Sequence, residues 1–107
     1  MYPFVYIASA GLRATPEFIA WLEDLRDKTA RARILLRLRR LGDGHPGDFS
    51  VIESDLRELR LHFGPGYRVY YAHLGGGPVL LLGGDKWSQL RDIAAARALL
   101  SRIRGSM

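Results

Sequence analysis

The stretch Leu56 to Tyr71, LRELRLHFGPGYRVYY, limits most strongly what this chain can fold into. From Glu58 onward the residues alternate, with Glu58, Arg60 and His62 on one side and Leu59, Leu61 and Phe63 on the other. Gly64-Pro65-Gly66 then breaks the pattern with a proline between two glycines, a turn signal. The return run alternates again: Tyr67, Val69 and Tyr71 share a face, Arg68 and Tyr70 the other. The stretch therefore reads as a β-hairpin. With Gly64 to Gly66 as its loop, Phe63 faces Tyr67, His62 faces Arg68 and Arg60 faces Tyr70. Leu59, Leu61, Phe63, Tyr67, Val69 and Tyr71 then form a core face. Glu58, Arg60, His62, Arg68 and Tyr70 form a polar one, with opposed Cβ atoms about 5.5 Å apart or less. A slip of one residue would bury Arg68 and scatter this group, so the apolar pattern opposes it.

The rest of the chain supplies the layers around this hairpin. A strand rich in Tyr, Phe, Val and Ile is expected within residues 1–14. Thr15-Pro16-Glu17 starts a helix: threonine caps, proline takes the first helical position and glutamate complements the dipole. Phe18, Trp21, Leu22 and Leu25 recur on one face, and this helix is expected to run to about Asp27. A second helix over about Thr29 to Leu41 buries Ile34, Leu35, Leu38 and Leu41 and packs antiparallel to the first. Asp48 to Ile52 is a short strand. Leu74 to Pro78 makes a second hairpin connection, and the unbroken apolar run Val79 to Leu82 reads as a central strand buried on both faces. Ser88 is expected to cap a last helix ending near Arg104, with Leu90, Ile93, Leu100 and Ile103 as its packing face. The order β-α-α-β-β-β-β-α predicts an α+β fold: one domain over residues 1–107, a small antiparallel-rich sheet, an N-terminal helical hairpin and a C-terminal helix, the helices on one face.

Charge narrows the function. The net charge is +5 and, of 16 basic residues, only Lys28 and Lys86 are lysines. Arginine suits bidentate contact with phosphate or carboxylate. GC-rich coding bias explains such a ratio equally well, but not the net charge, which points to nucleic acid or an acidic protein as partner. Arg33, Arg37 and Arg40 fall on the second helix's outer side, with no acid between Arg31 and Arg40 to relieve them. They form either a solvated face or a contact surface for RNA or a partner. The chain has no cysteine, and His45, His62 and His73 lack metal-ligand spacing, so no metal or other cofactor is expected. No apolar run approaches the roughly 18 residues of a membrane span, and the start lacks a basic leader region. A cytoplasmic protein is expected.

ELRLHFGPGYRVYY, followed by LLLGGDKWSQLRDIAAA, and preceded by TPEFIAWLEDLRDKTARARILLRLRRL and a GD, resembles the RelE/ParE toxin superfamily, in particular its HigB-like branch of addiction-module killer proteins. The resemblance covers about residues 11–103. It implies a toxin of a type II toxin–antitoxin system that cleaves messenger RNA, commonly on the ribosome. It also implies a neutralising helix-turn-helix antitoxin through which DNA is contacted only indirectly. Arg68 matches the arginine that such ribonucleases place near the scissile phosphate. Arg60 falls near a basic strand position, and Lys86 matches a basic position after the last strand. Trp87 stands where small or polar residues are more usual, and Arg91-Asp92 where RelE has a tyrosine.

RNA cleavage without a metal needs a base for the 2′-hydroxyl, cations for the phosphorane-like charge and an acid for the leaving oxygen. Arg60, Arg68 and Lys86 suit the cationic task and His62 proton transfer. Glu58 is an alternative base and Tyr70 an alternative acid; Asp92 is a further candidate, and of Asp85 and Asp92, which could also bind a cation, one is expected to orient Lys86 or cap a helix. Two other readings stay open here: a ParE-like toxin that inhibits gyrase by binding, and a catalytically inactive basic module that binds nucleic acid or a partner.

Overall fold

A computed structural model describes residues 1–107. The elements run β1 (Val5–Ile7), β2 (Leu12–Ala14), α1 (Pro16–Asp24), α2 (Lys28–Gly42), β3 (Phe49–Glu53), β4 (Leu56–Leu61), β5 (Tyr67–Leu74), β6 (Gly77–Asp85), a 3-10 turn at Lys86–Ser88, and α3 (Gln89–Gly105). The α+β class and the element order match expectation, except that the N-terminal strand is a hairpin of two. The six strands form one mixed sheet in the order β1-β2-β6-β5-β4-β3, with β2 parallel to β6.

Local chemistry sets the helix ends. The Thr15 hydroxyl accepts from Phe18 N at 3.0 Å and donates to Leu81 O at 2.7 Å, so one buried side chain caps α1 and pins it to β6. Helix α1 stops at Asp24, short of Asp27, because Asp27 caps α2 by accepting from Ala30 N at 3.0 Å. Ser88 makes no side-chain cap for α3. Instead, Asp85 accepts from the backbone N–H of Trp87 and Ser88 while Ser88 Oγ accepts from Asp85 N, a reciprocal box around the 3-10 turn.

The helices cover both faces of the sheet rather than one. Phe18 and Leu22 of α1 and Ile34, Leu38 and Leu41 of α2 bury Leu12, Ala14, Leu59, Leu61, Val69, Tyr71 and Leu80. On the opposite face Ala96, Leu100 and Ile103 of α3 cover Leu56, Tyr70, Ala72, Val79 and Leu81. The apolar run Val79 to Leu81 is buried on both sides, as its composition requires. Arg97 to Glu53 and Arg104 to Asp55 tie α3 to the β3–β4 turn. Leu90 is exposed and lies outside the packing face of α3, whose buried residues are Ala96, Leu99, Leu100 and Ile103.

The central hairpin keeps its predicted faces but not its predicted loop. Leu61 pairs with Tyr67, Arg60 with Arg68 and Glu58 with Tyr70, leaving five loop residues, His62 to Gly66. Gly64 and Gly66 take the left-handed conformation, φ +56° and +78°, that closes this loop. The register is slid by two residues from the three-residue-loop pairing. A slip of two preserves side-chain parity, so Leu59, Leu61, Val69 and Tyr71 still face the first core.

Candidate functional site

The polar face of the hairpin divides where α3 begins. Beneath α3 lie Glu58 and Tyr70; beyond its first residues the ends of β4 and β5 are open. Tyr70 is completely buried, and its hydroxyl has no hydrogen-bond partner. Glu58 is 2% exposed; its Oε2 accepts from Gln89 Nε2 at 2.8 Å, and its Oε1 lies 3.9 Å from Arg68 Nε. Burial withdraws both from contact with an external substrate. Asp92 is turned inward as well, accepting from Ser88 Oγ and lying over Gly84. None of these three candidates faces the open end.

Arg68 sits at the boundary. Its side chain is 13% exposed. Nη1 donates to Gly66 O and Tyr67 O, each at 3.1 Å, and Nε faces Glu58, leaving Nη2 without a protein acceptor. The guanidinium is thus held in one orientation with one arm of its fork free. Lys86 approaches the same point: a Cβ on Gly66 would lie 3.3 Å from Lys86 Cδ and 3.6 Å from Arg68 Nη1. Lys86 is exposed, its Nζ 5.0 Å from the Trp87 ring centroid.

Arg60 and His62 meet on Asp48, a residue that sequence reasoning did not single out. Asp48 immediately precedes β3, and Arg60 N donates to its carbonyl at 3.0 Å. Its Oδ1 accepts from Arg60 Nη2 at 3.0 Å, and its Oδ2 is hydrogen-bonded to His62 Nε2. The hydrogen bonds from His62 and then Arg60 hold the Asp48 carboxyl below the usual carboxylate range. The resulting stability is present above the unfolded-state pKa of about 3.9 and is lost as pH falls through the lower folded value. The side chain of His62 is 69% exposed, so an imidazole oriented by a carboxylate is presented to solvent. The GD before β3 is the signal that marks Asp48, once β3 is paired antiparallel to β4.

The arginine stripe of α2 is split. Arg37 donates to Pro46 O, Arg60 O and Asp48 O at 2.9, 2.9 and 2.8 Å, which fixes the loop carrying Asp48. Burial lowers its pKa from the usual arginine value. Arg37 is therefore a structural clamp. Arg33 stacks on Phe63, its guanidinium carbon 3.9 Å from the ring centroid, and Arg40 is exposed. With His62 they line a groove of about 360 Å³ between α2 and the hairpin loop. The stripe and the hairpin face, separate in sequence, adjoin here.

Tyr70→Phe separates burial from chemistry. Its hydroxyl is buried and unpaired, so the variant is expected to be as stable as the parent or about 1 kcal/mol more stable. Burial, then the charges of Glu58 and Asp92, push the Tyr70 pKa up. An unfolded tyrosine ionises near pH 10, so stability is complete below that pH and declines as pH rises toward the higher folded value. Urea denaturation at neutral and alkaline pH should show a smaller alkaline loss for the variant; Tyr71, shifted the same way, keeps part of it.

No family model and no solved structure matches the chain. The chain is 39% identical over 93 residues to an uncharacterised protein of Haemophilus influenzae, an alignment covering 86% of this chain and 94% of that one. No helix is long and apolar enough to cross a membrane. At that identity and coverage the two share a family, and the chain belongs to that of the Haemophilus influenzae protein.

Proposed function

We propose that this protein is the toxin of a toxin–antitoxin pair and an endoribonuclease that cleaves single-stranded messenger RNA by attack of a 2′-hydroxyl. The observation that carries the reading is the convergence of Arg68 and Lys86 on Gly66, on the strand face that also holds the Arg60–Asp48–His62 group. Arg68 and Lys86 take the non-bridging phosphate oxygens, where negative charge grows in the transition state. His62, oriented by Asp48, accepts the 2′-hydroxyl proton. The 2′-oxygen–phosphorus bond forms, the phosphorus–5′-oxygen bond breaks, and the departing oxygen takes a proton from the Lys86 ammonium. Arg60 shares Asp48 with His62 and keeps that carboxylate ionised and in place; it is a positioning residue. The products are a 2′,3′-cyclic phosphate and a 5′-hydroxyl. On this reading a helix-turn-helix antitoxin neutralises the protein and carries any DNA contact.

The direct test is incubation of the purified protein with a single-stranded RNA in the presence of EDTA, with end-group analysis of the fragments. The expected result is cyclic phosphate and 5′-hydroxyl ends. Fragments with 3′-hydroxyl and 5′-phosphate ends would require a different attacking group and would refute the role given to His62. Growth arrest with supercoiling defects and intact RNA would favour gyrase inhibition instead.

A further inference from the structure

Trp87 and Leu90 are 82% and 86% exposed, although both are large apolar residues. Trp87 lies on the 3-10 turn between β6 and α3 and Leu90 in the first turn of α3, around an open cavity of about 760 Å³ lined also by Lys86 and Arg91. The segment is rigid where it carries the tryptophan: Asp85 accepts from Trp87 N at 2.9 Å and Ser88 N at 3.2 Å. The backbone is therefore fixed while the indole is covered by nothing but the neighbouring lysine, its ammonium 5.0 Å from the ring centroid. Of the nearby carboxylates, Asp85 is engaged by this turn, while Asp92 accepts from Ser88 and lies 3.7 Å from Arg91 Nε, which leaves Lys86 as the cation without a carboxylate partner. An exposed aromatic face on a fixed backbone thus stands beside an unpaired ammonium.

We infer that Trp87 is a stacking platform for a nucleobase of single-stranded RNA, placed so that the adjoining phosphate reaches Lys86 and Arg68. The inference rests on the ribonuclease reading and adds to it a residue that holds the substrate. An aromatic ring beside basic side chains fits one nucleotide unit: the base on the ring, the phosphate on the cations. Stacking accepts any base, so Trp87 contributes affinity and positioning with little sequence preference. Leu90 borders the platform and shields the stacked base from water. The charge of the neighbourhood selects a polyanion over a purely apolar partner.

Tryptophan fluorescence isolates the effect. The chain has two tryptophans, and Trp21 is packed between Phe18 and Tyr67. The probe is 2′-O-methyl hexaadenylate, which lacks the attacking hydroxyl and is not cleaved, titrated at low salt. Saturable quenching is expected for the parent. Trp87→Phe should lose the quenching and keep its affinity, measured with a labelled oligonucleotide. Trp87→Ala should bind about tenfold more weakly, and Lys86→Ala should bind more weakly with a shallower salt dependence. An abasic oligonucleotide of equal length should bind parent and Trp87→Ala alike. Parental affinity in Trp87→Ala together with a weakened Lys86→Ala would overturn the platform and leave the ribonuclease reading standing. No binding by the parent, joined to an absence of RNA cleavage, would remove both. Emission that shifts with protein concentration alone would place a second copy of the chain on this patch and overturn the inference.

Discussion

On the proposed ribonuclease reading, Arg68→Ala is expected to lower RNA cleavage by about 10²- to 10³-fold, the usual loss when one donor aimed at a developing oxyanion is removed. The same substitution carries a structural cost. Glu58, 2% exposed, faces Arg68 Nε and loses its counter-charge, keeping only the hydrogen bond from Gln89. Leaving a buried carboxylate in that state costs roughly 3 kcal/mol. Activity and stability must therefore be separated. The Glu58→Gln/Arg68→Ala pair removes both charges; it is expected to regain most of the stability and none of the activity. Arg68→Lys keeps a cation but cannot contact the turn carbonyls and a phosphate with a planar fork, and it too should fall well below the parent. Thermal unfolding beside single-turnover cleavage distinguishes the cases. A double variant that is folded and as active as the parent would remove Arg68 from the site.

A stability loss as large as that of Arg68→Ala is expected from Gly83→Ala. A Cβ at Gly83 would lie 2.1 Å from two atoms of the Trp21 ring, and this ring also packs against Phe18 and Tyr67. The indole lies on the β6 backbone and cannot retreat without opening the junction between α1 and the sheet. About 3 kcal/mol is expected for overpacking of this kind, a fall in Tm on the order of 15 °C. Gly84→Ala makes an instructive contrast. Its Cβ would meet Asp92 Oδ2 at 2.0 Å, the end of a side chain that can rotate away by giving up its contact with Ser88. Its loss should be smaller, about 1 kcal/mol. If Trp21 is the obstacle, Trp21→Ala should remove most of the additional effect of Gly83→Ala, a non-additivity that a double-mutant cycle reads directly.

Side-chain parity made the hairpin legible. Alternation fixed which residues of β4 and β5 share a face, and a loop two residues longer than expected left that assignment intact. Loop length itself was not legible, because slips of two residues satisfy the same pattern. Alternation also says nothing about what covers a face. Glu58 and Tyr70 share parity with Arg60 and Arg68, yet α3 ends over the first pair and leaves the second at its margin. The same blindness placed all helices on one side, although the apolar residues of β6 call for cover on both. Spacing in α2 put Arg33, Arg37 and Arg40 on one side of the helix but could not reveal that Arg37 meets three carbonyls. Asp48 was hidden because its partners, Arg60 and His62, become neighbours only when β3 pairs with β4. The cap at Thr15 was legible because Pro16 and Glu17 mark a helix start after it; Asp27 was hidden inside the expected span of the first helix, and Asp85, one of two aspartates offered as a cap, took the role given to Ser88.

The central claim is that one face of the hairpin cleaves RNA through Arg68. Its most direct test is induced expression in bacteria lacking an antitoxin, with genome-wide mapping of new RNA 5′ ends and with the Glu58→Gln/Arg68→Ala pair in parallel. The account predicts growth arrest and new 5′-hydroxyl ends from the parent, and neither from the folded double variant. Arrest by the parent with an unchanged map of RNA ends would contradict it.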